Sequence, residues 1–283
     1  MKKIHILLAM LMTSAMGLTS CSDDEDTTPS FADINGFAPA ADDNSATAQL
    51  QREFYNETGV YLLFNDTLTA ENGAKPELLD LGWTLSDLYG YNYSYKYITD
   101  IEAQRQAAEV VKTHVVDRLG DAKPFSILLA DDVSYLYNGM ARHSTMVLGT
   151  RCYAFNLDDG HALDDPDAFF GDLFISMVQG ILDKYTTELQ PFYDISAEYY
   201  GEYIDEFGLS DPTEEELWDY GFFEYNDMWG YFYYESSDLK LWVNKVISMS
   251  RAEFEATYGS SATMMNKYEA LVSVIKKIGI KLK

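Results

Sequence analysis

PFSILLA at residues 124–130, MVLGTRCYAF at 146–155 and AFFGDLFISMVQGILDKY at 168–185 follow one another in mid-chain, and their reading decides the fold. The first two are short apolar runs of the kind that fill buried strands, separated by a turn around Asn138 and Gly139. The third carries Phe169, Leu173, Ile175, Met177, Ile181 and Leu182 with only Gly171 and Gly180 as breakers, which predicts one central helix. Toward the N-terminus, residues 46–58 predict a short helix, and Gly59 opens a strand-like run at 60–64 that Asn65 and Asp66 end. The tyrosines of YNYSYKY at 91–97 recur every second residue, as in a strand with one ring-bearing face, although an irregular loop fits the stretch as well. Residues 99–119 have helical spacing, with Thr99 or Asp100 as cap and Gly120 as stop. Toward the C-terminus, helical patterns cover 191–207, 212–218, 237–248 and 261–278. The second has Asp211 placed to cap it, Pro212 at its first position and glutamates in its first turn, and the last ends on Lys276 and Lys277. Strands first and helices later predict a single α+β domain over 46–283, a mixed sheet in its first half packed on a helical second half.

Ahead of this domain, Lys2 and Lys3 precede an apolar run from Ile6 to Met12, and LTSC at 18–21 reads as a lipobox. The expectation is a lipoprotein signal peptide over 1–20, cleavage before Cys21, and acylation of that cysteine. No later window has the run of about 18 to 20 apolar residues a spanning helix needs, so the lipid is the expected attachment to the membrane. SDDED at 22–26 opens a stretch over 21–45 too polar to bury itself, a disordered acidic tether. That run resembles the surface-export signal of Gram-negative lipoproteins, which implies anchoring in the outer membrane facing the cell exterior. A plain solvated spacer accounts for it as well.

The formal charge of −26 repels nucleic acid and anionic lipid, so no nucleic-acid partner is expected. Cleavage would remove two lysines and no acid, sharpening the imbalance. Cys21 and Cys152 are the two cysteines, and acylation of the first leaves no intrachain disulfide. Cys152 lies in an apolar run and reads as a buried, inert thiol.

YLYNG at 135–139, GTRCYAFN at 149–156, and the order and length of the closing helices resemble a family of zincin-like zinc metallopeptidase lipoproteins associated with starch-utilisation-type import systems. The resemblance runs loosely from residue 46 to 278 and implies a zincin-like fold, zinc as cofactor, and partnership with a TonB-dependent transporter and its lipoprotein. Active relatives carry HExxH on the central helix, where two histidines four apart share one zinc and the glutamate activates water. In that register Ser176 and Gly180 replace the histidines and Met177 the glutamate. The third ligand falls near Asp238, which alone cannot hold zinc. The expectation is therefore a zincin-like domain with no catalytic or metal-ligating residues assigned and no cofactor.

Outside the leader the histidines are His114, on the apolar face of its helix, His143, between strands and facing solvent, and His161. His161 sits in DDGHALDDPD at 158–167, where Asp158, Asp164, Asp165 and Asp167 could hold calcium. The spacing departs from the EF-hand, and a solvated acidic loop capping the next helix is the better explanation. G-x-S-x-G, P-loop and G-x-G-x-x-G patterns are absent from the sequence. Residues 218–234, WDYGFFEYNDMWGYFYY, hold ten aromatics that no single periodicity can bury. They pack the core, or Trp218, Tyr225, Trp229, Tyr231 and Tyr233 present a surface for a glycan or peptide ligand. Two functions follow: a non-enzymatic accessory lipoprotein of a nutrient import system, or a metal-dependent hydrolase whose unconventional site is built from His143, His161 and nearby aspartates.

Overall fold

The computed structural model describes residues 36–69, 76–81 and 91–282. The leader, Cys21 and the acidic run behind it lie outside those residues. Among the described residues packing includes some ahead of residue 46: the Phe37 ring is buried against Tyr61 and Phe125, and the Arg52 guanidinium donates to the carbonyls of Ala40 and Asp43. Part of the expected tether is thus pinned to the domain.

Helix α1 (Ala46–Thr58) starts where Ser45 accepts the Ala48 N–H and stops at Gly59, whose left-handed backbone turns the chain into strand β1 (Tyr61–Leu63). A small hairpin, β2 (Thr67–Leu68) with β3 (Glu77–Leu78), precedes the tyrosine strand β4 (Tyr93–Tyr97). Asp100 caps α2 (Ile101–Val111), which continues through a π-turn at Lys112–Val116 to Leu119. Gly120 ends it with φ of 56°, and a Cβ there would lie 2.2 Å from the Gly279 carbonyl oxygen, so only glycine fits.

Strand β5 (Ser126–Tyr137) is the spine of the sheet and longer than the apolar run predicts. Its first half pairs in parallel with β1 and with β8 (Tyr153–Asn156); its second half pairs antiparallel with β4 and β6 (Met140–His143). Asn138 and Gly139, both with positive φ, make the tight turn between β5 and β6. The expected strand over 146–155 is two, because Gly149 and Cys152 close a turn between β7 (Met146–Leu148) and β8. Tyr97 faces Ala130 and Lys96 faces Asp132, leaving Asp131 as an extra residue. That bulge reverses the alternation of side chains. Ile127 and Leu129 point to the helices, and beyond the bulge Asp132 takes their side, while Tyr93 and Tyr95 join Leu128 and Ala154 on the opposite face.

Helix α3 (Pro166–Leu182) packs on the sheet through Phe170, Phe174, Met177 and Val178, all buried, each such side chain contributing about 1.5–3 kcal/mol of hydrophobic stabilisation. The expected helix over 191–207 is instead α4 (Thr186–Asp194), with Pro191 inside it, then turns in which Gly201 takes a positive φ, and a 3-10 segment at Ile204–Phe207. Helix α5 (Glu214–Trp218) is capped by Thr213 in a reciprocal capping box with Glu216, not by Asp211, whose own φ is 53°. A short hairpin, β9 (Tyr225–Asn226) with β10 (Tyr231–Phe232), leads to α6 (Glu235–Ser248), α7 (Arg251–Tyr258) and α8 (Ala262–Lys277). Helix α7, missed in the sequence, is announced by another capping box, Ser250 with Glu253. The architecture is α+β, with a mixed sheet and a helical C-terminal half. Among the described residues no helix is long and apolar enough to cross a membrane.

Candidate functional site

Strand β6, the segment entering β7 and the first turns of α3 enclose an open groove of about 580 Å3, lined by His143, Ser144, Thr145, Met146, Phe169, Asp172 and Ser176 among others. The tight turn sets Ser134 opposite His143, and the bulge puts Asp132 on the same face one pair further along. His143 Nδ1 lies 2.7 Å from Asp132 Oδ1, and the buried Asn156 donates to that same oxygen at 3.1 Å. A chain of Asn156, Asp132 and His143 therefore fixes an imidazole that remains largely exposed, its Nε2 free of protein partners among the hydrogen bonds described. A carboxylate on one ring nitrogen is how acid–base and metal-ligating histidines are oriented.

Helix α3 presents Ser176 to this groove, and Gly180, one turn on, faces β7, where an added Cβ would meet the Leu148 side chain at 3.0 Å. The two positions that the family resemblance assigns to histidines thus share the face beside the edge strand. Met177 points the other way and is wholly buried. Asp238 does not line the groove. It is buried in α6, where its Oδ2 accepts from Lys267 Nζ at 2.7 Å and from the Tyr200 hydroxyl at 2.9 Å, while Oδ1 has no hydrogen-bond partner.

Lys267 is the functional-looking residue that sequence reading missed. Its ammonium, fully buried, also donates to Ser196 Oγ at 2.7 Å and Gly221 O at 3.0 Å, and it lies over the rings of Phe192, Tyr200, Phe222 and Trp242. Burial raises the Asp238 carboxyl above its ordinary range against the pull of Lys267, and burial lowers Lys267. The available signal was a lone lysine in the apolar stripe of Met264, Tyr268, Leu271 and Ile275.

The acidic loop divides its carboxylates. Asp165 caps α3 through the Ala168 N–H, Asp167 faces His114, Asp158 faces His161 within a 3-10 turn, and Asp164 is exposed. Among the described residues no three His, Cys, Asp or Glu side chains converge in a way that could hold a metal, and His143 and His161 take separate aspartates. His114 stacks on Phe170, half-buried. Cys152 is buried, and burial pushes its thiol up to about 12.

The aromatic run splits. Phe222, Phe223 and Phe232 are buried, Trp218 packs edge-on to Tyr258, and Tyr225 packs against the small cluster of Ile204, Leu217, Phe222 and Phe232. At the tip of the β9–β10 hairpin, Met228 and Trp229 are 79% and 65% exposed, with Tyr231 and Tyr234 in ring contact beside them and Tyr203 against Tyr231. Tyr233 is partly buried. Comparison with known proteins adds no relative: no family model, curated protein or solved structure matches this chain.

Proposed function

We propose that the chain is a lipid-anchored protein of the outer membrane that binds a glycan or peptide for a TonB-dependent import system and does not hydrolyse it. The observation that carries this reading is the hairpin tip, where Met228 and Trp229 stand exposed with exposed Tyr203 and Tyr234 nearby, although Phe222, Phe223 and Phe232 of the same run are buried. Such patches on a soluble surface mark interaction sites, and tyrosine and tryptophan supply rigid contact area with a polar tip. Loss of chemistry is supported at the helix, where the position that would activate water holds a thioether sealed in the core. Attachment through Cys21 is supported by the lipobox. Affinity electrophoresis against a panel of polysaccharides and peptides tests the reading. Trp229→Ala with Tyr231→Ala abolishes retention and leaves the melting temperature within a few degrees; retention unchanged in that variant contradicts it.

A second reading, a metal-dependent hydrolase, is favoured by the Asn156–Asp132–His143 chain, since ligating histidines carry just such a carboxylate on the other nitrogen. Stoichiometric zinc in the purified chain, lost in His143→Ala, would establish it.

A further inference from the structure

The buried contact between Lys267 and Asp238 has the arrangement of two groups held ready to condense. We propose that Lys267 Nζ and the Asp238 carboxyl join in an intramolecular amide bond, a covalent link from α8 to α6 formed by the folded chain without any other protein.

Three features of the site carry this. The nitrogen sits 2.7 Å from Oδ2 with both side chains fully removed from water, and the carboxyl carbon lies one bond further on. Holding two reactants so replaces a bimolecular encounter with a unimolecular step, worth many orders of magnitude in effective concentration. Two of the three ammonium N–H bonds are directed to Ser196 Oγ and Gly221 O. The third points at Asp238, so passing that proton to Oδ2 leaves the amine lone pair directed at the acid. Finally, the rings of Phe192, Phe222, Tyr200 and Trp242 surround the nitrogen and exclude water that would otherwise hold the pair ionised. The directions of the two acidities agree, Asp238 raised and Lys267 lowered by burial, both toward the neutral pair.

The step balances internally. The neutral amine attacks Cγ, forming the N–C bond and placing negative charge on Oδ1. Tyr200, whose hydroxyl already donates to Oδ2, gives its proton to that oxygen and takes one from the nitrogen. The Cγ–Oδ2 bond breaks, one water leaves, and Tyr200 is restored. A neutral amide replaces a buried ion pair whose Oδ1 had no partner. No oxidant, metal or nucleotide is consumed.

Peptide mapping of the purified, unfolded full chain tests this without depending on any variant. A branched peptide joining the segments around residues 238 and 267, lighter by one water than its two parts, is expected in the wild-type protein. It is absent from Lys267→Met and Asp238→Ala, and its yield falls in Tyr200→Phe, which keeps the ring and loses the proton carrier. Recovery of the two segments from folded wild-type protein only as separate peptides of full mass overturns the proposal. The result is independent of what the hairpin binds, so it fails or stands apart from the binding function.

Discussion

At the scale of single residues, the strongest structural commitment is the enclosure of the Lys267 nitrogen and the Asp238 carboxyl together in the aromatic interior. Asp238→Ala leaves Lys267 fully enclosed with only neutral acceptors and rings around it, and removing one partner of a buried pair costs about 3–5 kcal/mol. Urea unfolding should show a midpoint lowered by at least that much, since the variant also lacks the link from α6 to α8, and a midpoint near wild type would mean that Lys267 and Asp238 do not meet in the core. Cys152 gives a prediction with a sign. Its folded thiol ionises near pH 12, whereas an unfolded cysteine does so at about 8.5. Below about pH 8.5 both states keep the proton and the group has no pH effect; from there toward 12 the unfolded state alone loses it, so stability falls as pH rises. Cys152→Ala removes that slope between about pH 8.5 and 10, above which tyrosines raised by burial, Tyr97 and Tyr193 among them, add their own, and alkylation of the wild-type thiol proceeds only after unfolding. Lys267 shows why sequence reading stopped short: a lysine in an apolar stripe is conspicuous, but its partners come from residues 196, 200, 221 and 238, and no local pattern joins them.

At the scale of elements, sequence signals with a local mechanism were legible. Asp100, one of the two caps expected for the helix after it, does cap it, and the bounds of α1 coincide with the run at 46–58. The elements misread are those whose limits are tertiary. Strand β5 continues past its apolar run because β4 and β6 supply partners for its polar half, and the 191–207 pattern breaks where the Gly201 and Ile204 N–H groups donate to the Phe232 and Gly230 carbonyls and the Glu202 carbonyl accepts from Phe232. Two element-scale outcomes follow. Ser250→Ala, which dismantles the capping box of α7, should cost about 1 kcal/mol in denaturant unfolding. Gly120→Ala should cost more, on the order of 2 kcal/mol, because it meets both a positive φ and the Gly279 carbonyl; equal effects would show that the close approach is not real.

At the scale of the molecule, the α+β architecture with its helical C-terminal half could be read from the order of apolar runs. The groove could be read only in part. Ser176 and Gly180 were placed on one face by their spacing, and the Asn138–Gly139 turn alone fixes His143 opposite Ser134. Asp132 was hidden because the bulge at Asp131 reverses the strand's alternation, which period-two reading cannot foresee. The aromatic run was ambiguous for a physical reason too: a hairpin buries one set of rings and exposes another, and burial is a property of the partner, not of the string. The account holds that this surface binds, and that the groove at β6 and α3 has lost the metal chemistry the family resemblance implies. Elemental analysis of the purified, dialysed full chain is the most direct test. The account predicts zinc and other transition metals far below one equivalent per chain, and a full equivalent that disappears in His143→Ala would contradict it.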